Sequence, residues 1–491
     1  MLLSLDSTPH ESLHTRIAVA LRAKIEAGDL SAGAKLPTTR ALAKELEVSR
    51  STVVRAYEQL ERDGWVEAKV GSGTVVCMRS SEPRPAAIDW DLLIAPRARG
   101  PEPWYVETLR MLSGPDVISF SGGLPAPDLF PVEAIQQLTR DVLRDEGARI
   151  LQGCPVEGYP PLRSWLARHE GVEPEEVLVL SGSTQGLHLL SQALIQAGDL
   201  VLVENPTYAG ALRTFEAAGA HLAALPTHEG RLHLEQIDSL LGRTRPKFIY
   251  TIPTYRNPTG QSLTRNERRG LLDLAARHQV PIVEDDPYSL LQFGEPVGPT
   301  LHSMDSVGVV IRLSTFSKIL FPGMRVGWLV APTELVNRLS SSRSLMDLFV
   351  NGPSQASLYR FCQRGMLDGH LRHVLPIYRE RRDAMAEALR TYCPQLTFEL
   401  PQGGFFIWAK LPDGVTSRPL LQHALAGGVS FVGGELFHSD GSGSEYIRLC
   451  FACHSPELIR DGVRKVGLAL ARLVASADRD DEKRVPVEYV L

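Results

Sequence analysis

The stretch Val309-Val310-Ile311-Arg312-Leu313-Ser314-Thr315-Phe316-Ser317-Lys318, followed by Pro322-Gly323-Met324-Arg325, decides how this chain is read. A β-branched apolar run that breaks into small hydroxyl residues predicts a buried strand, Val309 to Leu313, ending at a loop. A lysine just beyond such an end can form a Schiff base with an aldehyde, while Thr315, Ser317 and Arg325 offer donors to a phosphate. Taken alone, the same residues also fit a surface lysine at a strand end. Three other segments narrow the choice. Tyr255-Arg256-Asn257-Pro258-Thr259-Gly260 follows a strand at Phe248 to Thr251, and Glu284-Asp285-Asp286-Pro287-Tyr288 follows one at Pro281 to Glu284. Ser181-Gly182-Ser183-Thr184-Gln185-Gly186 follows Val177 to Leu180 and opens a helix through Leu194. All three lie where open α/β sheets bind ligands, beyond the carboxyl ends of strands. The start of that helix is an anion site built from orphan N–H groups and the helix dipole. With further strands at Val201 to Val203 and Val326 to Val330, each separated from its neighbours by helical stretches, the pattern predicts a mainly parallel sheet covered on both faces.

Upstream the pattern changes. Leu13, Ile17, Leu21 and Ile25 recur every four residues, a helix with one apolar stripe that ends near Gly28. Thr38 is placed to cap a second helix carrying Leu42, Ala43 and Leu46, and Ser49 a third with Val53, Ala56, Tyr57 and Leu60 inward. Two short helices joined by a tight turn make a helix-turn-helix. Gly64-Trp65-Val66 and Gly71-Ser72-Gly73-Thr74-Val75-Val76 read as two strands around a glycine turn, a wing. From Arg79 to Pro103, prolines at 83, 85, 96, 101 and 103 interrupt any period and predict a semi-stiff linker with a short ordered piece around Trp90 to Ile94. The charged residues from Asp478 onward read as a tail.

The bulk numbers agree with this division. A chain of 491 residues exceeds one ordinary core, given ~150 residues per domain. With 43% hydrophobic and 22% charged residues, neither disorder nor a membrane class is indicated. A net charge of -5 argues against a uniformly basic nucleic-acid coat but leaves room for a small module with local arginines. Met1 to Glu11 lacks the basic and apolar regions of a signal peptide, and no apolar run approaches the ~20 residues of a membrane span. A cytoplasmic protein is expected. Six scattered cysteines suit reduced thiols. Cys450 and Cys453, followed by His454, match a haem-attachment spacing, but they lie in an apolar run, and small core cysteines are the favoured reading. No metal is expected.

Together the segments of the large region resemble the fold-type I, class I aminotransferases, over roughly Pro115 to Ala475. The resemblance implies pyridoxal 5′-phosphate as cofactor, with Lys318 as the Schiff-base lysine and Asp285 as the carboxylate paired with the pyridinium nitrogen. It implies that Asn257 and Tyr288 bind the phenolic oxygen and that Tyr208, in Asn205-Pro206-Thr207-Tyr208, stacks on the ring. Ser183, Thr184, Thr315, Ser317 and Arg325 correspond to phosphate contacts. Arg448, in Tyr446-Ile447-Arg448-Leu449, matches the arginine that grips a substrate or effector carboxylate, with Asn257 and Gly123 beside it. The sequence departs from the family where Gly153 stands in place of a tyrosine that reaches the partner subunit's cofactor phosphate. Losing that charge-assisted bond would weaken cofactor holding by ~1.5–3 kcal/mol, which puts turnover in doubt and leaves Schiff-base formation intact.

Leu36-Pro37-Thr38-Thr39-Arg40, Ser49-Arg50-Ser51-Thr52-Val53-Val54-Arg55-Ala56-Tyr57 and the Gly71-Ser72-Gly73 turn resemble the GntR-family winged helix. The resemblance assigns Arg40, Arg50, Thr52 and Arg55 to phosphate and base-edge contacts with double-stranded DNA. The expected architecture is therefore multi-domain. Residues 1–80 form an α+β winged helix-turn-helix, 81–114 a Pro-rich linker, 115–475 an α/β transferase domain with a smaller C-terminal α/β subdomain, and 476–491 a charged tail. The combination resembles bacterial regulators of the MocR/GabR type. It implies a homodimer, with no membrane association, that binds an operator and senses an amino compound or the cofactor itself. Two alternatives stay open at this point: a working aminotransferase with an appended DNA-binding domain, and a cofactor-free dimerisation scaffold.

Overall fold

The computed structural model describes residues 12–69, 73–77, 90–94, 116–228 and 230–482. By its internal contacts the chain divides into two compact units, Met1–Ile94 and Ala95–Leu491.

In the small unit, α1 (Leu13–Glu26), α2 (Thr39–Glu45) and α3 (Arg50–Arg62) are followed by β1 (Val66–Lys69) and β2 (Gly73–Val76). Both expected caps form: Thr38 Oγ1 accepts from Ala41 N at 3.2 Å and Ser49 Oγ from Thr52 N at 3.1 Å, each satisfying a donor the first turn would leave orphaned. Ile17, Leu21, Leu42, Val53, Ala56, Tyr57 and Leu60 are buried in one core, where each larger aliphatic side chain contributes roughly 1.5–3 kcal/mol. The Tyr57 hydroxyl donates to Pro37 O at 2.8 Å and ties α3 to the turn before α2. Leu13, expected in the α1 stripe, is 40% exposed, because it occupies the first helical position, ahead of the turn that packs on α3. β1 and β2 pair antiparallel from Val66↔Val76 to Lys69↔Gly73. That is the predicted wing, with its tip at 70–72 outside the described residues. Of the linker only residues 90–94 are described, with Trp90–Leu93 as one helical turn.

The large unit is built on a seven-stranded sheet. A short β3 (Ile118–Ser119) and the helices α4 (Val132–Gln152) and α5 (Pro160–Glu170) come first. Then follow β4 (Val177–Leu180), α6 (Ser183–Leu194), β5 (Leu200–Val203), α7 (Ala209–Ala217), β6 (His221–Ala224), α8 (Leu234–Arg243) and β7 (Ile249–Thr251). After these come α9 (Arg265–His278), β8 (Ile282–Asp285), β9 (Val310–Thr315) and β10 (Gly327–Val330). The strands lie in the order β4-β10-β9-β8-β7-β5-β6. Every pairing is parallel except those of β10, which runs antiparallel to both β9 and β4. That reversal matters for the site. The carboxyl ends of β4, β5, β7, β8 and β9 face one edge, and because β10 runs backwards its first residues, just after Arg325, arrive at that same edge, with Gly327 beside Leu180 and Thr315.

The sheet interior is apolar on both faces, as parallel strands under two helical layers require. A second, four-stranded sheet is made from β11 (Thr397–Phe398), β12 (Phe406–Lys410), β14 (Val432–Gly433) and β15 (Tyr446–Cys450), in the order β11-β12-β15-β14. β13 (Val429–Ser430) lies between β12 and β14 in the chain and pairs instead with β3. α10 (Thr333–Ser344), α11 (Gly352–Gln363), α12 (Met366–Tyr392), α13 (Ser417–Ala426) and α14 (Pro456–Glu482) complete the unit. This second sheet with α12 and α14 is the expected smaller subdomain. The expected tail needs correction: α14 continues to Glu482, since a charged, alanine-containing sequence is as compatible with a solvated helix as with irregular chain. Residues 483–491 lie outside the described set. Among the described residues no helix is long and apolar enough to cross a membrane, and no group of three or more potential metal ligands converges.

Candidate functional site

Each expected residue of the large domain reaches the strand-end edge by its own element. Ser183 and Thr184 open α6, Tyr208 precedes α7, Asn257 lies in the loop after β7, and Asp285 ends β8. Thr315 ends β9 and caps a single helical turn, Phe316–Ile319, that carries Ser317 and Lys318; its Oγ1 accepts from Ser317 N at 3.1 Å. Together with Gly123, Tyr288, Arg325 and Arg448 these residues line one cavity of about 750 Å³. That volume lies within the usual range for a small-molecule pocket.

Lys318 Nζ donates to Gly123 O at 2.6 Å, and burial lowers its pKa from 10.5 to about 8. Asp285 moves the other way: burial raises it to about 6, opposed by the Tyr250 hydroxyl, which donates to Oδ2 at 2.8 Å. Its other oxygen, Oδ1, is buried with no hydrogen-bond partner among the described residues. A protonated ring nitrogen is the donor this orphaned atom lacks, so the site fits a pyridinium cofactor. The phosphate end fits as well. Arg325, held in the left-handed region at φ 52°, donates through Nη2 to Ser181 O at 2.8 Å. A Cβ at Gly182 would come within 2.6 Å of that Arg325 nitrogen. The guanidinium therefore lies against the start of α6, where a phosphate would meet both the arginine and the helix N–H groups.

Arg448 projects from β15 and is stacked between two rings, its Cζ 4.2 Å from the Phe406 centroid and 4.9 Å from that of Phe437. Its Nη1 donates to Asn257 Oδ1 at 2.9 Å and its Nη2 donates to Ser121 O. With Oδ1 so engaged, Asn257 keeps its amide N–H groups as donors at the cavity wall, the polarity needed to meet a phenolic oxygen. The loop bearing Asn257 is fixed from beneath by the buried ion pair of Arg256 with Glu204 at 2.6 Å, and by Arg268, which donates to Pro253 O at 2.8 Å. Gly123 approaches closely, as expected, but what it approaches is the Phe406 ring, 2.9 Å from where its Cβ would be. Tyr250, Phe406, Phe437 and Ser121 were missed from sequence. The legible signals were a tyrosine inside an otherwise apolar strand and the run Gly403-Gly404-Phe405-Phe406.

Gly153 ends α4 at φ 137° and ψ −175°, a region essentially reserved for glycine, and its Cβ position lies 2.8 Å from the Phe349 ring. Cys450 is wholly buried, as the core reading expects, whereas Cys453 is only partly so. In the small unit Arg40, Arg50 and Arg55 are exposed at the start of α2 and along α3. Thr52 is half-buried, and its hydroxyl and amide both bond the Ser49 cap, with the two hydroxyls 2.7 Å apart.

Residues 115–466 match the family described as Aminotransferase class I and II, and residues 13–76 match Bacterial regulatory proteins, gntR family. The 2-aminoadipate transaminase of Thermus thermophilus is 38% identical over 373 residues, 75% of this chain and 94% of that protein. The probable rhizopine catabolism regulatory protein MocR of Rhizobium meliloti is 30% identical over 485 residues, 97% of each chain. Among solved structures, the α-aminoadipate aminotransferase LysN of Thermus thermophilus, complexed with N-(5′-phosphopyridoxyl)-L-leucine, matches with a TM-score of 0.75 at 36% identity. It covers 79% of this chain and 100% of its own. The chain therefore belongs to the aminotransferase class I and II family, a fold whose homologues depend on pyridoxal 5′-phosphate, and carries a gntR-type helix-turn-helix DNA-binding domain at its N-terminal end.

Proposed function

We propose that the chain is a transcriptional regulator of the MocR type, in which the cofactor-binding unit detects an amino compound or pyridoxal phosphate itself and a homodimer presents two winged helices to an operator. One observation carries the reading: a single chain holds both a full set of cofactor and carboxylate groups around Lys318 and exposed arginines on capped DNA-reading helices. Similarity to a regulator along 97% of the chain supports it.

Pyridoxal phosphate, when bound, supplies an aldehyde and an electron-withdrawing ring. Lys318 would provide the amine for the aldehyde, and Asp285 would pair with the ring nitrogen. Ser183, Thr184, Thr315, Ser317, Arg325 and the N–H groups of α6 would hold the phosphate. Asn257 and Tyr288 would serve the phenolic oxygen, and Tyr208 the ring. Arg448, stiffened by two aromatic faces, takes a ligand carboxylate. The effector class is then a small molecule with both an amine and a carboxylate. It acts on DNA binding only through different affinities for two arrangements of the protein.

The test is a screen of amines and amino acids against the purified full chain, reading visible absorbance and affinity for the DNA upstream of its own gene. A compound that changes both is expected, with the absorbance lost in Lys318→Ala and DNA binding weakened in Arg50→Ala while absorbance persists. A chain that stays colourless with added cofactor, or whose DNA affinity ignores every ligand that alters absorbance, overturns the proposal. A second reading, a working aminotransferase, is favoured by the near-neutral pKa of Lys318, which suits one amine to both giving and taking a proton. Steady turnover of an amino acid with a keto acid, absent in Lys318→Ala, would support it.

A further inference from the structure

Cys450-Phe451-Ala452-Cys453 is a two-cysteine motif that the cofactor site does not use. Cys450 ends β15 with no exposure, and Cys453 follows in a partly exposed bend before α14. The bend is held from every side. Arg381, itself buried, donates to Ala452 O at 2.6 Å, Cys450 N donates to Phe120 O at 2.9 Å, and the His454 ring lies 3.0 Å from Ser119 O. The Cys453 thiol donates to Leu124 O at 3.0 Å, and the neighbouring Gly123 O accepts from Lys318 Nζ. One dipeptide thus connects the thiol pair to the cofactor lysine. Cys450 lies three residues before Cys453, at the end of β15, and the charged groups that act on the Cys453 sulfur, Arg381 and Lys318, are both cationic. In that company Cys453 is pulled down to about 7, while burial raises Cys450. A partly exposed thiol of lowered pKa, spaced by two residues from a sheltered thiol of raised pKa, is the arrangement of a redox-active pair.

We propose that Cys450 and Cys453 form an oxidation site, at which a small peroxide converts the dithiol to an intrachain disulfide beside the Lys318 cavity. The Cys453 thiolate attacks one oxygen of hydrogen peroxide, breaking the O–O bond. The departing hydroxide takes a proton and leaves as water, and the sulfur is left as sulfenic acid. The Cys450 sulfur then attacks the Cys453 sulfur. Its own proton goes to the departing hydroxide, and a second water is released as the S–S bond forms. The pair loses two electrons and the peroxide gains them. Cys453 can no longer donate to Leu124 O, so the Gly123–Leu124 segment is freed to shift against Lys318.

The experiment treats the reduced full chain with hydrogen peroxide, alkylates the remaining thiols, and maps the products by peptide mass spectrometry. The peptide spanning 450 and 453 should lose two hydrogens and escape alkylation, reversibly with dithiothreitol, while the buried Cys362 and Cys393 stay reduced. Cys453→Ser, at the partly exposed position and so least disturbing to the fold, should abolish the product. Cys450→Ala should instead leave a sulfenic acid on Cys453 that dimedone traps. Without peroxide, Cys453 should be alkylated at pH 7 about tenfold faster than an ordinary free cysteine, and rebinding of the cofactor should slow after oxidation. If the peptide stays alkylatable at both cysteines after peroxide, or if Cys453 reacts no faster than a free cysteine, the proposal fails.

Discussion

Burial moves Lys318 and Asp285 toward their neutral forms, the amine down to about 8 and the carboxyl up to about 6. Capture of the aldehyde needs the lysine neutral, and the ion pair with the ring nitrogen needs the aspartate charged. In cofactor-free protein both conditions improve as pH rises through about 6 and then about 8, after which little more is gained. The rate at which added pyridoxal phosphate develops visible absorbance should therefore climb from pH 6 to about 8 and level off. A lysine at its ordinary 10.5 would keep climbing well beyond that. Asp285→Ala should remove the lower rise and weaken binding, and Lys318→Ala should remove the absorbance altogether. Gly153 invites a different experiment. Its backbone conformation costs a residue with a side chain roughly 1–3 kcal/mol, and Phe349 occupies the space where the side chain would begin. Gly153→Tyr should thus lower the melting temperature without tightening cofactor binding. A tighter, equally stable variant would show that a tyrosine alone is what this position lacks.

At the scale of elements, the sequence was most readable where a single force dominates. Strand β4 is a continuous apolar run, and β8 and β9 open on apolar pairs, because both faces are covered; the runs give way to polar residues toward the end that borders the cavity, so the strands and the candidate site residues at their ends were legible together. The caps Thr38 and Ser49 were legible because their hydroxyls answer a local need of the helix. The direction of β10 was not, since a buried strand has the same composition whichever way it runs. Nor were Phe406 and Phe437 readable as partners of Arg448, because the contact joins β12, β15 and the loop after β14, which only the folded second sheet brings together. The end of α14 was misjudged because a charged sequence reads alike in a helix and in an irregular tail. The small unit allows its elements to be tested separately. Ser49→Ala should cost about 1 kcal/mol of local stability and lower amide-exchange protection along α3. Arg50→Ala should leave that protection intact and weaken operator binding by about 1–3 kcal/mol, with a shallower salt dependence if its contact is to phosphate.

At the scale of the whole molecule, the question is whether the two units share a free energy. If an effector at Arg448 and Lys318 changes operator affinity by some factor, thermodynamic linkage requires the operator to change effector affinity by the same factor, commonly about 5- to 150-fold. In an enzyme that merely carries a DNA-binding domain both factors are one, and its two affinities are independent. Titrating the effector by visible absorbance with and without operator, and titrating operator with and without effector, gives two numbers that must agree. Equal factors above one are expected. They should fall to one together in Arg448→Ala, which keeps the lysine and the aspartate but removes the carboxylate's partner. Unequal factors would mean that some third species, such as a change of subunit association, carries the signal. Factors of one for every ligand that reacts at Lys318 would leave the cofactor site chemically competent and regulation without a mechanism, and the aminotransferase reading would take its place.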